Sequence, residues 1–287
     1  MSFGTFRYRD TVRWARVQPV AMVALVVLGA VSCSSGSGHA STPTTSTARR
    51  LVAQVVGEVV VDPIYRQGVA RVAGGWIFSF NDGLFRTDDA LHQMAKLQPA
   101  IPAEWRARGF DHIGDIDVEG GVVYAPLEQP NYDLGHQAML MYDSTTLGYK
   151  AGVDVAQRHA SFVSVDPVTG IAYSMNRFGG SALLRYDVRH GWRRLAPLRM
   201  SRFVDRVQGA DIHAGAAWLS TDDATDNLYR VDLRTGQVQA LGSIGHADGE
   251  GEGIDATPVA GTDLHVLSID VKAVPVRLIN LKVAPAS

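Results

Sequence analysis

The chain has 287 residues, of which 46% are hydrophobic and 20% are charged, a composition typical of a folded globular protein. Its 27 basic and 29 acidic residues give a formal net charge of −2. Nothing in this balance resembles the clustered positive charge that nucleic-acid binding requires, so we expect no nucleic-acid partner. The chain has one cysteine, Cys33, which excludes an intramolecular disulfide.

The first 32 residues have the layout of a secretory signal. Four arginines precede an apolar run at residues 19–31, which is shorter than the roughly 20 residues that span a bilayer. Cys33 follows directly, at the end of the segment LGAVSC (residues 28–33). This segment resembles a bacterial lipoprotein signal, in which the cysteine is lipidated and becomes the first residue of the mature chain. An ordinary cleaved signal followed by a chance cysteine is the alternative.

We therefore predict three segments: a lipoprotein signal peptide at residues 1–32, a flexible Ser/Thr-rich tether at residues 33–49 and a folded domain at residues 50–287. The tether contains too few apolar residues to form a packed core. Loss of residues 1–32 would leave a net charge of −5, with no polybasic patch. We expect an extracytoplasmic location in a bacterial cell envelope, with the lipid on Cys33 as the only membrane contact.

One pattern of short apolar runs and glycine turns occurs five times in residues 67–280. In the clearest copy, residues 208–242, the segment LYRVD (228–232) alternates as a half-buried strand does. The copies open at Gly68, Gly114, Ser161, Gly209 and Gly253, which are 46, 47, 48 and 44 residues apart. A period of this length with four strands per copy indicates the blades of a β-propeller.

We predict an all-β fold, a five-bladed β-propeller. The last copy has no evident fourth strand, and the apolar segment at residues 51–61 is expected to supply it and close the ring. A six-bladed ring is the rival if residues 91–110 contain further structure.

The residues just before the five openings are expected to surround the axial mouth, because the innermost strand of each blade lines the axis. His112, His159 and Glu252 are the candidate catalytic residues among them. The candidate ligand-binding residues are Arg66, Gln67, Asp111, Arg158, Arg206, Gln208 and Glu250. This mixture suits a small zwitterionic or hydroxyl-rich ligand. The alternative is that these side chains simply face solvent and neutralise each other.

A metal ion is a more specific candidate for the ligand at the axial mouth. His112, His159 and Glu252 are suitable ligand types, but they come from three different blades, so no spacing tests the set. The residues from Asp115 onwards resemble the start of an EF-hand loop, yet Pro126 stands where that loop needs a bidentate glutamate. The acidic hairpin at residues 221–227 has the character of a solvated turn. We predict no metal and no cofactor.

Three blade openings, Gln67-Gly68, Gln208-Gly209 and Glu252-Gly253, resemble the Gln-Gly and Glu-Gly openings of plant-type glutamine cyclotransferases. The resemblance implies a five-bladed propeller that cyclises N-terminal glutamine with a carboxylate near the axis, and it carries over to Gln67 and Glu252. Blades two and three depart from it, since they open with Ile113-Gly114 and Ala160-Ser161. In outline the chain is also similar to calcium-dependent lactonase propellers, whose asparagine-rich metal site has no counterpart here.

Two functions remain open. In the first, the lipid-anchored propeller binds a small polar ligand or a protein partner at the axial mouth without chemistry. In the second, it is an enzyme of the cyclotransferase or lactonase kind, in which Glu252 acts as general acid or base with help from His112 or His159. Arg158 and Arg206, if close to Glu252, would lower the pKa of its carboxyl group, and this favours binding over catalysis.

Overall fold

The computed structural model describes residues 50–176, 179–245, 249–270 and 275–286. Within these residues the strands form five antiparallel sheets, one for each predicted repeat, arranged as a five-bladed β-propeller. The predicted fold class is therefore confirmed. The predicted signal peptide, the lipidation site Cys33 and the tether lie outside the described residues.

The chain enters the fold through β1 (Leu51–Val61), which belongs to the last blade. Blade 1 consists of β2 (Gly68–Val72), β3 (Gly75–Phe80), β4 (Gly83–Asp88) and β5 (Gln93–Leu97). A single helical turn, α1 (Ala103–Arg106), leads to the next blade. Blade 2 consists of β6 (His112–Ile113), β7 (Asp117–Glu119), β8 (Val122–Glu128), β9 (Gln137–Asp143) and β10 (Tyr149–Val155).

Blade 3 is the least regular, because two separate strands, one of two and one of seven residues, pair with different parts of its strand β13. Its strands are β11 (Ser164–Val165), β12 (Ile171–Ser174), β13 (Gly180–Asp187), β14 (Arg193–Arg194) and β15 (Leu198–Val204). Blade 4 consists of β16 (Val207–His213), β17 (Ala216–Thr221), β18 (Asn227–Asp232) and β19 (Val238–Ser243). Blade 5 adds β20 (Gly249–Asp255), β21 (Leu264–Asp270) and β22 (Val276–Pro285) to β1. The described residues also contain 3-10 turns at Tyr132–Leu134 and Val188–His190.

The two ends of the domain meet in blade 5. Strand β1 pairs antiparallel with β22, from Leu51 opposite Pro285 to Val61 opposite Val276. The predicted closure by the segment ahead of the first repeat is thus confirmed. Residues 91–110 hold the outer strand β5 and the helix α1, so they do not form a sixth blade.

Hydrophobic packing between neighbouring blades forms the core. The described residues contain five apolar clusters, each with members from two adjacent blades. In β18, for example, Leu228 packs towards blade 5 and Tyr229 towards blade 3. Both faces of a blade are therefore buried, which explains why the alternation of apolar and polar residues along the strand is interrupted at Leu228 and Tyr229. Stability comes from this mutual burial, since no blade covers both of its own faces.

The carboxyl group of Asp115 lies at the centre of the ring. It accepts hydrogen bonds from the backbone N–H groups of Val69, Ala210 and Ile254, at 3.2, 3.1 and 3.3 Å. Glycine at the openings makes this approach feasible: a Cβ atom on Gly209 or Gly253 would lie 2.6 or 2.5 Å from an oxygen of Asp115. One side chain of blade 2 therefore joins blades 1, 4 and 5 at the axis.

A second set of side chains connects successive inner strands below Asp115. Each carboxylate or hydroxyl oxygen of this belt accepts a hydrogen bond from a backbone N–H group of the following blade. The four bonds join Asp117 to Val165 (2.6 Å), Ser164 to Ile212 (2.9 Å), Asp211 to Ala256 (2.7 Å) and Asp255 to Arg71 (2.6 Å). The last bond crosses the closure of the ring. We call Asp117, Ser164, Asp211 and Asp255 the lower belt.

Candidate functional site

The beginnings of the innermost strands surround a cavity of about 200 Å³ at one end of the axis, the axial cavity. It is lined by Gln67, His112, Gly114, Asp115, Glu128, His159, Ser161, Gln208, Glu250 and Glu252. All three Gln-Gly or Glu-Gly openings bring their side chains here, because the inner strands converge on the axis at Asp115. Among the described residues that line the cavity there is no lysine and no arginine.

Six of the residues singled out from the sequence meet in this cavity. The three catalytic candidates, His112, His159 and Glu252, all line it, and so do Gln67, Gln208 and Glu250. His159 and Glu252 are almost completely buried, with 3% and 6% of their surface exposed. The repeat alignment therefore places these residues around one space, although they come from all five blades.

The other four candidates do not line the axial cavity. Arg66 is half-buried, while Asp111, Arg158 and Arg206 are exposed. Arg158 forms an ion pair with Asp133 at 2.5 Å, and Arg206 forms one with Asp222 at 2.7 Å. These two guanidinium groups thus form their ion pairs with aspartates outside the cavity.

Glu128 is a cavity residue that the repeat alignment did not indicate. It is the last residue of β8, and its carboxylate contacts the Nδ1 atom of His159 and accepts a hydrogen bond from the N–H group of Ala160 at 2.5 Å. Only 3% of its surface is exposed. The available signal was a charged residue that follows Pro126-Leu127 at the end of an apolar strand. Because the alignment considered only first strands, it missed this second-strand residue.

His159 is held from two sides. Glu128 faces its Nδ1 atom, and the ring of Tyr132 lies over it with 4.1 Å between ring centroids and an interplanar angle of 31°. Tyr132 reaches this position from the 3-10 turn between β8 and β9. A histidine oriented by a carboxylate is the arrangement that general-base catalysis uses, and it also serves to fix a donor for ligand binding.

A larger groove adjoins the axial cavity at His159. This side groove has a volume of about 500 Å³ and is lined by Pro130, Asn131, Tyr132, Asp133, Arg158, His159, Asn176 and Gly179. It lies between blades 2 and 3. Arg158, predicted as a ligand-binding residue, is therefore placed in the groove instead of the axial cavity.

A further acidic residue with a raised pKa, Asp226, interacts with Glu250 of the axial cavity. Asp226 is 2% exposed, and burial is the main cause that raises its pKa to about 7. Asp222, Asp223 and Glu250 raise the pKa of Asp226 further by charge repulsion, while the N–H group of Gly251 lowers it. The acidic hairpin of blade 4 thus faces the same region as Glu250.

Neither a metal cluster nor a membrane-spanning helix is found in the part of the chain that the structure describes. No three histidine, cysteine, aspartate or glutamate side chains there are grouped in a way suited to a metal ion. None of the helices in that part has the length and apolar character needed to cross a bilayer.

Comparison with known proteins finds similarity in fold alone. No protein-family model and no curated protein sequence matches the chain. Among solved structures, it is similar to the glutaminyl cyclase of Myxococcus xanthus, with 11% identity and a TM-score of 0.62 over 83% of this chain and 99% of that one. The resemblance of the propeller to this class of protein is therefore confirmed at the level of the fold.

Two further structures are less similar. Hydrazine synthase of Kuenenia stuttgartiensis matches with 12% identity and a TM-score of 0.43, over 76% of this chain and 66% of that one. A chain of a mitotic checkpoint complex matches with 11% identity and a TM-score of 0.46, over 81% of this chain and 71% of that one.

Proposed function

We propose that the propeller binds a small cationic ligand in the axial cavity. The observation that carries this proposal is the charge of the lining, in which Glu128, Glu250 and Glu252 supply carboxyl groups with no described arginine or lysine among them. This sharpens the sequence-based hypothesis of a small polar ligand to one that carries an ammonium or guanidinium group.

The surroundings favour a cation and also supply groups that orient a ligand. Carboxylates in a partly closed cavity interact with a positive charge more strongly than exposed carboxylates do, because less water screens them. The side-chain amides of Gln67 and Gln208 also line the cavity, and such groups orient a bound ligand through hydrogen bonds.

Binding of matched pairs of small molecules to the full chain in detergent tests the proposal. Ethylamine and guanidine are expected to bind, whereas ethanol and urea, which have similar sizes and no charge, are not. Glu252→Gln should weaken amine binding by tenfold or more, since it removes a charge and keeps the shape of the side chain. Asp111→Asn removes an exposed carboxylate outside the cavity and serves as the matched control. Equal binding of the charged and uncharged compounds would contradict the proposal.

Catalysis is the second candidate function. It is supported by the contact between Glu128 and His159 next to Glu252, an arrangement with a carboxylate-oriented base near a second carboxyl group. The fold similarity to a glutaminyl cyclase adds to this candidate. Ile113 and Ala160 stand where a cyclotransferase-like opening would carry a glutamine or glutamate, and this departure favours binding as the primary function.

Turnover separates the two candidates. A peptide with N-terminal glutamine and a simple lactone are incubated with the full chain, and product is followed by mass spectrometry. If the chain is an enzyme, Glu252→Gln abolishes product formation and leaves the fold intact by circular dichroism. An amine ligand that is bound and recovered unchanged, with neither compound consumed, supports binding alone.

The proposal also includes anchoring of the propeller outside the cytoplasm by a lipid on Cys33. Support comes from the basic segment, the apolar run and the cysteine that follow one another in residues 1–33. In a bacterial host, labelling with an alkyne analogue of palmitate should mark the chain. Cys33→Ser should lose the label and move the protein from the membrane fraction; retention of the label would exclude this cysteine.

A further inference from the structure

The axial cavity and the side groove share one wall. His159 lines both, so the two spaces adjoin at this imidazole, and a ligand that occupied both would lie beside it. The axial cavity, at about 200 Å³, is smaller than the roughly 300–1,000 Å³ typical of small-molecule sites, and the side groove brings the joined space into that range. The geometry therefore favours a ligand longer than a single cationic group.

The chemistry changes along this path. Carboxyl groups dominate the axial end, whereas in the groove the ring of Tyr132 lies over that of His159, with Pro130 nearby. The ring of Tyr132 favours an aromatic ligand, because ring stacking adds to the gain from burying apolar surface. At the rim, Arg158 and Asp133 form an ion pair with exposed side chains, which contributes little to stability.

We infer that the ligand is an aromatic amine, with its ammonium group among the glutamates of the axial cavity and its ring against Tyr132 in the side groove. This inference rests on the proposed function, since it requires the cation to occupy the axial cavity. It adds a second subsite and a ligand class, and it makes Tyr132 a specificity residue that distinguishes aromatic from aliphatic amines.

The affinities of 2-phenylethylamine and ethylamine for the full chain in detergent measure the contribution of the ring. We expect 2-phenylethylamine to bind at least tenfold more tightly, and 2-phenylethanol, which has the ring without the charge, to bind weakly. Tyr132→Ala should bring the affinity of 2-phenylethylamine close to that of ethylamine, while Tyr132→Phe should keep the difference between the two affinities. Leu134→Ala, an exposed residue of the same 3-10 turn, controls for disturbance of that turn.

The outcomes separate failure of the inference from failure of the proposed function. If both amines bind equally well to the wild-type chain, the ring has no subsite and the inference is wrong, although cation binding stands. If Tyr132→Ala weakens both amines by the same factor, Tyr132 acts only by supporting His159, and the inference is again wrong. If neither amine binds, the proposed function itself fails.

Discussion

The two ends of the propeller axis use acidic side chains in opposite ways. At the upper end, Glu128, Glu250 and Glu252 line a cavity of about 200 Å³. At the lower end, Asp117, Asp211 and Asp255 accept backbone hydrogen bonds that join one blade to the next. The same functional group therefore lines a cavity at one end and holds the ring together at the other.

The difference follows from symmetry. The lower belt joins residues about one repeat apart, since Asp117 and Val165 are separated by 48 positions and Asp211 and Ala256 by 45. The upper glutamates break the repeat, because Glu128 comes from a second strand while Glu250 and Glu252 both come from the first strand of blade 5. Repetition suits closure of a ring, whereas recognition of one small ligand requires an asymmetric set of groups.

We expect the largest loss of stability from substitution of Asp115, which lies between the two ends of the axis. Asp115→Ala would leave the N–H groups of Val69, Ala210 and Ile254 buried without this acceptor. Since each buried unsatisfied group costs about 1–3 kcal/mol, the free energy of unfolding should fall by about 3 kcal/mol or more. Chemical denaturation measures this change.

An exposed carboxylate provides the control for Asp115. Asp154 forms an ion pair with Arg108 on the surface of blade 2, with about half of its side chain exposed, and Asp154→Ala should change the stability by less than about 1 kcal/mol. Similar losses for the two variants would show that Asp115 does not join the blades in the way its contacts imply.

The lower belt should make stability depend on pH. Burial is the main cause that raises the pKa of Asp117 to about 7, and the charge of Asp211 raises it further. Asp255, Arg71, Glu119 and His213 line the same small cavity. The folded state then binds the proton of the Asp117 carboxyl group more tightly than the unfolded state does. Protonation of Asp117 therefore stabilises the fold fully below about pH 4, and this contribution is lost as the pH rises through about 7.

The free energy of unfolding should therefore fall less steeply between about pH 4 and pH 7 in Asp117→Asn than in the wild type. One proton accounts for a slope of at most about 1.4 kcal/mol per pH unit. Denaturation at a series of pH values compares the variant with the wild type. Asp143→Asn is the opposite control: backbone hydrogen bonds from Thr146 and Thr145 lower the pKa of Asp143, so its contribution is lost only at acid pH. Parallel curves for wild type and Asp117→Asn would contradict the assignment.

The smallest effect is expected at the upper rim. Arg206 forms an ion pair with Asp222, and its positive charge also interacts with the carboxylate of Glu250. Arg206→Gln should therefore increase the affinity for ethylamine by about two- to threefold at low ionic strength, and the gain should shrink at high salt because salt screens exposed charges. Stability should change little, since the pair is partly exposed. Weaker amine binding would show that Arg206 supports the cavity instead of opposing the cation.

Most of the architecture was predictable from the chain because each repeat contains its own strands and turns. The period gave five blades, and the surplus apolar segment before Gly68 gave the strand that closes the ring. The same alignment brought six of ten site candidates to one cavity. It failed for Glu128 and Tyr132, which belong to a second strand and to a turn, where the repeats have no common pattern.

The roles of the aspartates near the axis were also not predictable from the sequence. The run that begins at Asp115 resembles the start of a metal-binding loop in sequence, but its carboxylates accept hydrogen bonds from backbone groups 46 to 139 positions away. No local pattern indicates contacts of this kind, because they arise only when the ring closes.

What the sequence by itself determined is what local physics determines: the strand pattern, the glycine openings, the repeat length and the number of blades. Tertiary structure alone decided which acidic side chains face a cavity and which bind a neighbouring strand. The reason is that burial and partners depend on how blades meet around the axis. The sequence around a glutamate or an aspartate in an apolar strand does not reveal the role of its side chain. Only the closed ring distinguishes the glutamates that line the cavity from the aspartates that hold the blades together.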